Sequence, residues 1–302
     1  NNRKVFQVGS SAIDSNKILS VFVDSNHNIW LSHGTWNETN LIIDNTRNVV
    51  VTSISMENVF EGWYYNESGL YTDQIMGFKE IQGKIFIYTW GDGLFYLEND
   101  VWINRKPNTI AANNITDISV DKNGKVWICN GFIGPDSQMR ANPGVSGFDG
   151  SEWTIFRKKT SPLVHDKVFR IMTDDKNRKW FGTWNHGISV YDEDNDKWYQ
   201  YNRTKGLPAN EIAALMSDEQ NNIWISTFSG GVVILGIDEI EKSVITPLSS
   251  FRLYEPNITY SDVVEIFKTE ERTYFGSYYS GIRIWDAPGF PTTHQPGDSW
   301  KK

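Results

Sequence analysis

One unit recurs six times along the 302-residue chain, and this repeat constrains the fold more than any other feature of the sequence. Each unit opens with a short polar residue: Asn16, Asp73, Asn113, Asp166, Asn210 and Ser261. An apolar residue follows two positions later: Ile18, Ile75, Ile115, Val168, Ile212 and Val263. An aromatic residue comes 13 or 14 positions after the opening: Trp30, Phe86, Trp127, Trp180, Trp224 and Tyr274. A repeat of this kind indicates a solenoid or a propeller.

Four short strands are predicted within each unit. In the fourth unit they cover Val168–Thr173, Lys179–Thr183, Ile188–Tyr191 and Trp198–Tyr201, with turn-forming residues between them. Consecutive units of four strands are typical of propeller blades. No segment shows apolar residues repeating every 3.6 positions, as they would in an amphipathic helix. The sequence therefore predicts an all-β fold, a six-bladed β-propeller of four-stranded blades.

A single domain over residues 1–302 is expected. The predicted blades cover roughly residues 13–66, 70–106, 110–157, 163–202, 207–254 and 258–302. The sixth unit departs from the pattern after Trp285, and an unassigned strand, Lys4–Val8, precedes the first unit. We expect this N-terminal strand to pair into the last blade and close the ring, because closure leaves no open sheet edge.

Charge and cysteine content narrow the class of protein. The net charge is −8, and an acidic surface repels phosphate backbones, so no nucleic acid is expected as a partner. Cys129 is the only cysteine, which rules out an internal disulfide and a cysteine-based zinc site. No apolar stretch approaches the roughly 20 residues of a membrane helix. Backbone carbonyls and Asp117 are suitable calcium ligands, but no motif calls for the ion, and no cofactor is expected.

Further recurring elements carry a family resemblance. Residues 206–210 are Gly-Leu-Pro-Ala-Asn, and residues 69–73 are Gly-Leu-Tyr-Thr-Asp. The second strand of the fifth unit is Ile-Trp-Ile-Ser-Thr over 223–227, and Trp198 and Tyr201 form a Trp-x-x-Tyr element. These elements resemble the two-component regulator propeller repeat. The resemblance implies an extracytoplasmic location, since such propellers form the sensor part of large bacterial hybrid histidine kinases or occur as separate envelope or secreted proteins.

The chain differs from the sensor pattern. The sensors of that family typically have paired seven-bladed rings followed by a further β domain, whereas six units are counted here and no kinase segment is present. The difference favours a stand-alone periplasmic, cell-surface or secreted protein. A lipid anchor on a residue preceding Asn1 is compatible with that expectation. The expected partner is a glycan or another envelope or secreted protein.

Repeated polar residues are predicted to be structural. The residue that opens each unit can bond nearby backbone amides, as Asn and Asp do in turns. The four mid-unit aspartates precede turn residues and have the same predicted role: Asp24, Asp121, Asp174 and Asp218.

Candidate ligand-binding residues lie where loops depart from the repeat. Aromatic residues recur just after the second strand of four units: Trp90, Trp184, Phe228 and Tyr278. Trp36 and Tyr279 lie close by in the sequence and are further candidates. Exposed aromatic faces around a concave site suit sugar rings or apolar ligands, and Asp92 and His186 would supply the polar groups. The alternative is that these aromatic side chains pack against neighbouring blades.

A second set of candidates lies on the innermost strands. Two residues after the repeated apolar residue the sequence varies freely and includes Asp117, Arg170 and Glu265. Buried charges are costly unless they are paired or hydrated, so these residues either form a salt bridge or line a wet channel, or they anchor a ligand. Residues 132–143 form an insertion between the second and third strands of the third unit, which is either a roof over the site or a tolerated surface loop.

Catalysis is the less favoured alternative. No nucleophile elbow, zinc-protease helix, phosphate loop or EF-hand motif is present. If the chain were a polysaccharide lyase, His165 or His186 with Tyr279 and Arg170 would supply the base and the stabilising cation. The leading hypothesis is a non-catalytic binding propeller. A carbohydrate-active lyase or hydrolase is the alternative, and a scaffold subunit of a bacterial envelope assembly is the third.

Overall fold

The computed structural model describes residues 18–33, 49–57, 59–64, 69–72, 74–105, 111–131, 143–252, 263–269, 272–277, 281–285, 290–291 and 300–301. Within these ranges the strands form six antiparallel sheets of four strands each. Every sheet falls within one predicted repeat unit, so the fold is an all-β six-bladed propeller, as the sequence predicts. The described residues include no helix with the length and apolarity needed to cross a membrane. The chain divides into two compact units, Asn1–Asp117 and Ile118–Lys302.

The first unit contains two sheets. Blade 1 consists of β1 (Ile18–Val23), β2 (Ile29–His33), β3 (Val49–Ile54) and β4 (Phe60–Tyr64). Blade 2 consists of β5 (Ile75–Ile81), β6 (Lys84–Thr89), β7 (Leu94–Glu98) and β8 (Val101–Arg105). The side chains of Trp30, Trp63 and Trp102 pack together between the two sheets, with ring centroids 5.4 to 6.2 Å apart. The repeated aromatic residue of blade 1 is therefore part of the core.

The second unit contains the remaining sheets. Blade 3 consists of β9 (Ile115–Val120, which starts just before the unit boundary), β10 (Val126–Asn130), β11 (Gly144–Phe148) and β12 (Trp153–Phe156). Blade 4 consists of β13 (Val168–Thr173), β14 (Lys179–Thr183), β15 (Ile188–Asp192) and β16 (Lys197–Tyr201). Blade 5 consists of β17 (Ile212–Ser217), β18 (Ile223–Thr227), β19 (Gly231–Leu235) and β20 (Ser249–Phe251). Blade 6 consists of β21 (Val263–Lys268), β22 (Thr273–Ser277), β23 (Gly281–Trp285) and β24 (Trp300–Lys301).

The outer strand of blade 6 differs from the expected one. β24 pairs with Ile284 and Trp285 of β23, so the C-terminal end of the described chain takes this position. Trp300 and Lys301 are adjacent to an extended edge of the same sheet, which offers them backbone partners. Lys4–Val8, the strand expected there, lies outside the described residues.

A bulge recurs on the innermost strands. In blades 4, 5 and 6 the pairing register shifts between the repeated apolar residue and the residue two positions later, as at Val168 and Arg170. Blades 1 and 2 show the same irregularity in β1 and β5. Because a bulge re-aims the side chains that follow it, the variable inner-strand position is the one whose direction the bulge sets.

The mid-unit aspartates are structural, as predicted. In blade 4, Asp174 Oδ1 accepts hydrogen bonds from the amides of Lys176 and Arg178, which closes the turn between β13 and β14. Its Oδ2 accepts a bond of 2.9 Å from Trp180 Nε1. The same indole-to-carboxylate bond, also 2.9 Å long, occurs at the three equivalent aspartates: Asp24, Asp121 and Asp218. The repeated aspartate thus ties the turn to the repeated tryptophan.

Candidate functional site

The loop between β14 and β15 holds two of the predicted site residues, Trp184 and His186. Thr183 Oγ1 donates to the carbonyl of Gly187 and accepts a bond of 3.0 Å from the amide of His186. The amide of Trp184 donates to the carbonyl of Lys167, just before β13. Gly187 has φ +84, in the left-handed region that glycine favours. These bonds fix the loop and therefore the positions of both side chains.

Blade 5 repeats this loop. Thr227 Oγ1 donates to the carbonyl of Gly231 and accepts a bond of 3.1 Å from the amide of Gly230. The amide of Phe228 donates to the carbonyl of Glu211 at 2.9 Å. Phe228 is consequently the counterpart of the tryptophan in the blade 4 loop, as the repeat predicts.

The two loop aromatics and one strand residue form an aromatic cluster, defined here as Phe169, Trp184 and Phe228. The rings of Trp184 and Phe228 lie 4.9 Å apart at 58°, and those of Phe169 and Trp184 lie 5.2 Å apart at 67°. Phe169 is buried, whereas Trp184 and Phe228 are half-buried. The two loop residues therefore pack between neighbouring blades and still present part of their surface to solvent.

Arg170 lies beside the aromatic cluster, with Cζ 4.5 Å from the centroid of the Phe169 ring. Its Nε donates to the carbonyl of Ala213 on β17 at 2.7 Å, and Nη1 donates to the carbonyl of Phe169 at 3.2 Å. These bonds hold the guanidinium in one orientation. Nη2 makes no hydrogen bond to another residue in the part of the chain that the structure describes.

Two histidines stack next to the same loops. The rings of His165 and His186 lie 4.0 Å apart and within 6° of parallel. His165 is buried, and its Nδ1 accepts a bond of 3.1 Å from the amide of Lys167. The ring proton of neutral His165 is therefore on Nε2. The two candidate bases of a lyase are thus brought together, and Arg170 lies on β13 of the same blade.

Three predicted site residues belong to the first unit and are described there. Thr89 forms the same loop in blade 2, because its Oγ1 donates to the carbonyl of Gly93 and accepts from the amide of Asp92. Trp90 is half-buried and its amide donates to the carbonyl of Gln74. Asp117 is half-buried on β9.

Some predicted residues do not join the cluster. Glu265 is exposed on β21, and β17 lies between that strand and β13, which carries Arg170. Trp36, Tyr278, Tyr279 and residues 132–142 lie outside the described residues. Within the described ranges no group of three His, Cys, Asp or Glu residues is arranged to hold a metal ion.

Sequence reasoning missed several contributors to the site, namely Phe169, Lys167 and the carbonyl of Ala213. In the sequence, Phe169 cannot be told apart from the other apolar residues of the core. Every residue has a backbone carbonyl, so residue type does not indicate which carbonyl will bind a side chain. A signal was available for the loops, since a threonine ends the second strand at Thr89, Thr183 and Thr227. A threonine four residues before a glycine is the pattern that would have revealed the shared loop.

Two segments of the chain match a known family model. The model for the two component regulator propeller matches residues 109–132 and 206–229. These two segments are similar to the two component regulator propeller repeat. The second matched segment runs from the Gly-Leu-Pro-Ala-Asn element to the blade 5 loop and ends just after Phe228. Of the two half-buried loop aromatics, Phe228 therefore lies within a segment that matches the repeat model.

Solved structures share this propeller fold. The extracellular domain of a hybrid two component system from B. thetaiotaomicron matches with a TM-score of 0.67 and 16% identity, over 91% of this chain and 34% of that one. PorZ, a surface component of the type-IX secretion system of Porphyromonas gingivalis, matches with 0.63 and 16%, over 94% and 42%. A catalytically inactive virginiamycin B lyase from Staphylococcus aureus matches with 0.56 and 11%, over 88% and 83%.

The chain spans about a third of the first B. thetaiotaomicron structure that it matches. The comparison with curated proteins gave no match. At these identities the likeness establishes the fold alone.

Proposed function

We propose that this chain is a non-catalytic binding propeller that works outside the cytoplasm and takes its ligand at the loops of blades 4 and 5. The observation that carries the proposal is the aromatic cluster. Trp184 and Phe228 occupy equivalent loop positions in adjacent blades, contact each other at 4.9 Å and remain half-exposed. A site made of rigid loops with partly exposed aromatic rings suits recognition of a flat or apolar ligand surface.

The loops are preorganised for binding. Each is closed by a threonine that bonds two backbone groups of its own loop, and each is tied to the start of the innermost strand by an amide-to-carbonyl bond. Little conformational entropy remains to be lost when a ligand arrives, and this favours affinity. Arg170, whose guanidinium lies against the Phe169 ring, supplies donors beside the aromatic cluster.

Support for the location comes from the proteins that share the fold. One is an extracellular domain of a two component system, and another is a bacterial surface component of a secretion system. The cysteine content is compatible with this location. Cys129 is the single cysteine and is buried, so the fold does not depend on the redox conditions of a compartment. The proposed partner is a glycan or an envelope or secreted protein, with the glycan favoured by the aromatic surface.

The test compares ligand binding by three variants. Trp184→Ala and Phe228→Ala remove the exposed aromatic surface, whereas Phe267→Ala removes an aromatic side chain that is 63% exposed on β21, away from these loops. Glycan arrays would find a ligand, and calorimetry would measure its affinity for each variant. We expect the two loop variants to lose affinity by at least about tenfold, as for truncated aromatic anchors, and the control to bind like the parent. Equal affinity in all three proteins contradicts the proposal.

A polysaccharide lyase is the second candidate function, because the His165–His186 stack lies in the same blade as Arg170. His165 is buried and its Nδ1 accepts the amide of Lys167, so the half-buried His186 is the candidate base that a substrate would reach more easily. Accumulation of unsaturated uronate products from a polysaccharide, abolished by His186→Gln, would establish this activity in place of simple binding. A scaffold role in an envelope assembly stays a further prediction.

A further inference from the structure

Two β-bulges meet at Arg170. In blade 4 the pairing of β13 with β14 includes Val168 and Arg170 but skips Phe169 between them. In blade 5 the pairing of β17 with β18 skips Ala213 in the same way. A bulged residue is left out of the ladder, and its backbone groups need other partners where they are buried. Phe169 and Ala213 are 7% and 0% exposed, so water has little access to them.

One guanidinium bonds the carbonyls of both skipped residues. Arg170 Nε donates to the carbonyl of Ala213 at 2.7 Å, and its Nη1 donates to the carbonyl of Phe169 at 3.2 Å. A guanidinium presents its donors in a rigid planar fork, so two acceptors at fixed positions define its orientation. Arg170 therefore joins the bulge of its own blade to the bulge of the next blade.

The same guanidinium lies against the aromatic cluster. Its Cζ is 4.5 Å from the centroid of the Phe169 ring, and that ring lies 5.2 Å from the ring of Trp184. The ring of Trp184 in turn lies 4.9 Å from the ring of Phe228 in blade 5. A series of contacts therefore runs from Arg170, through Phe169, to the two half-exposed loop rings.

Blade 4 is the only blade with an arginine at this inner-strand position. The equivalent residues of the other blades are Ser20, Gly77, Asp117, Ala214 and Glu265. None of these has a cationic side chain with several donors, although blades 1, 2, 5 and 6 also have the bulge. A bulge in this fold consequently does not require an arginine, and the one arginine present coincides with the aromatic cluster.

We infer that Arg170 is a positioning residue of the proposed site, which holds Phe169 against Trp184 and so sets the orientation of the half-exposed rings. The inference rests on the proposed binding function, because it specifies how the same site is held in place. Since Nε and Nη1 bind the protein itself, loss of Arg170 should change the surroundings of Trp184 even when no ligand is bound.

Fluorine NMR of the protein labelled with 5-fluorotryptophan tests this inference without a ligand. The chain has 13 tryptophans, and the resonance of Trp184 is the one missing from the spectrum of Trp184→Phe. Trp198, which is also in blade 4 and stacks on Tyr191 at 4.5 Å, is assigned in the same way from Trp198→Phe. We expect Arg170→Gln and Phe169→Leu each to displace the Trp184 resonance by more than its linewidth and to leave that of Trp198 in place. If both resonances moved, Arg170 would support blade 4 as a whole, and the inference would be overturned.

The double variant decides whether the effect passes through Phe169. Residues in one contact network act non-additively. Arg170→Gln combined with Phe169→Leu should therefore displace the Trp184 resonance no further than Phe169→Leu alone. Additive displacements would mean that Arg170 acts on Trp184 by another route, contrary to the inference.

Two further variants separate geometry from charge. Arg170→Lys keeps the positive charge but lacks the planar fork, so it should displace the Trp184 resonance as Arg170→Gln does. If lysine restored the parent resonance, charge alone would suffice and the positioning role would be wrong. Arg203→Gln is the matched control, because it removes an exposed arginine from the connector after β16 and should leave the resonance in place. If Arg170→Gln does not fold, Arg170→Lys takes its place in each comparison.

The outcomes distinguish this inference from the proposed function. An unmoved Trp184 resonance in the Arg170 variants overturns the inference and leaves the binding proposal standing. If Trp184→Ala and Phe228→Ala bind the glycans of the array as the parent does, the binding proposal fails, whatever the position of the resonance.

Discussion

Lys179 of blade 4 places its ammonium 3.0 Å from Oδ2 of Asp121 in blade 3, and both side chains are fully buried. The same ammonium lies 2.9 Å from Oε2 of Glu193, and Lys125 Nζ lies 2.8 Å from the other oxygen of that carboxylate. Asp121 Oδ2 also receives the indole N–H of Trp127. The indole bond that recurs in other blades is thus extended here into a charge network that links two blades and is fully buried at Lys179 and Asp121.

Replacement of Lys179 should destabilise the protein strongly. The Lys179→Met variant keeps much of the apolar stem but leaves Asp121 buried without its cation, and removal of one partner of a buried pair costs about 3 to 5 kcal/mol. We expect a clear fall in the urea concentration at the midpoint of unfolding. The fluorescence of the core tryptophans would monitor this transition.

An exposed pair between the same two blades provides the control. Lys122 and Asp175 lie 3.4 Å apart with both side chains more than half exposed. The Lys122→Met variant should lose less than about 1 kcal/mol, because water and salt screen such pairs. Similar losses in the two variants would show that burial of the network is unimportant.

The same network predicts how stability depends on pH. Burial acts to raise the pKa of Asp121, but the hydrogen bonds from Trp127 and Lys179 and the charge of Lys179 outweigh it and lower that pKa. The pKa of Glu193 is lowered in the same way: burial opposes the shift, and the bonds from Lys125 and Lys179 overcome it. A carboxyl group whose pKa is lower in the folded state than in the unfolded state stabilises the folded protein. That contribution is fully present at pH values above the unfolded pKa of about 4.

That contribution is lost as the pH falls through the lowered pKa values. Urea midpoints measured at about pH 7, 5 and 3.5 should therefore decline in acid for the parent protein. In Lys179→Met the ammonium no longer stabilises the ionised form of Asp121. The difference in urea midpoint between the variant and the parent should therefore narrow as the pH falls. If the difference in urea midpoint between Lys179→Met and the parent stayed constant across this pH range, the Asp121 network would not be the cause of the acid dependence.

The strands of the propeller were predictable because their signals are local. In blade 4 the first two strands begin and end where the sequence places them, and the last two, Ile188–Asp192 and Lys197–Tyr201, each differ by one residue. Turn residues and the spacing of apolar side chains act over a few neighbours, so one sequence suffices to locate them.

The site was predictable only in part. The repeat frame placed Trp184 and Phe228 on equivalent loops, and their contact follows from the adjacency of blades 4 and 5. The orientation of Arg170 was not predictable, because it depends on a bulge in β13 and on the carbonyl of Ala213 in another blade. The ring stack of His165 and His186 likewise depends on loop geometry that residue types do not encode.

The aspartate of each turn should be worth more than an ordinary turn residue. Asp218 Oδ1 accepts the amides of Gln220 and Asn222, and Oδ2 accepts the indole N–H of Trp224, which is 1% exposed. The Asp218→Ala variant should lose about 3 kcal/mol, because a buried donor is left without its acceptor in addition to the loss of the turn bonds. Thermal unfolding and the near-ultraviolet tryptophan signal would measure this loss.

Asp149 offers a comparison for that variant. It is exposed, and its Oδ1 accepts the amides of Ser151 and Glu152 in a turn, but the bonds found for it include no indole. Asp149→Ala should cost about 1 kcal/mol or less, because water can replace the carboxylate at an exposed turn. If the two alanine variants were equally stable, the indole bond would have no energetic role.

The glycine that closes the blade 4 loop should resist substitution. Gly187 has φ +84, and a Cβ added there would overlap the carbonyl oxygen of Tyr201 on β16. The Gly187→Ala variant must therefore either shift β16 or open the loop that carries Trp184 and His186, at a cost of more than about 2 kcal/mol. Because the loop is the proposed site, ligand affinity should fall together with the unfolding temperature.

Gly150 separates backbone strain from this overlap. It also has a positive φ, +101, but a Cβ added there meets no atom within 4 Å. Gly150→Ala should cost only the conformational penalty of about 1 kcal/mol and should leave ligand binding unchanged. Since both variants carry the strain and one carries the overlap, the difference between their unfolding temperatures measures how closely β16 confines the loop. If the two unfolding temperatures were nearly equal, the loop would be able to relax around an added methyl group. That result would contradict the rigid loop on which the proposed site depends.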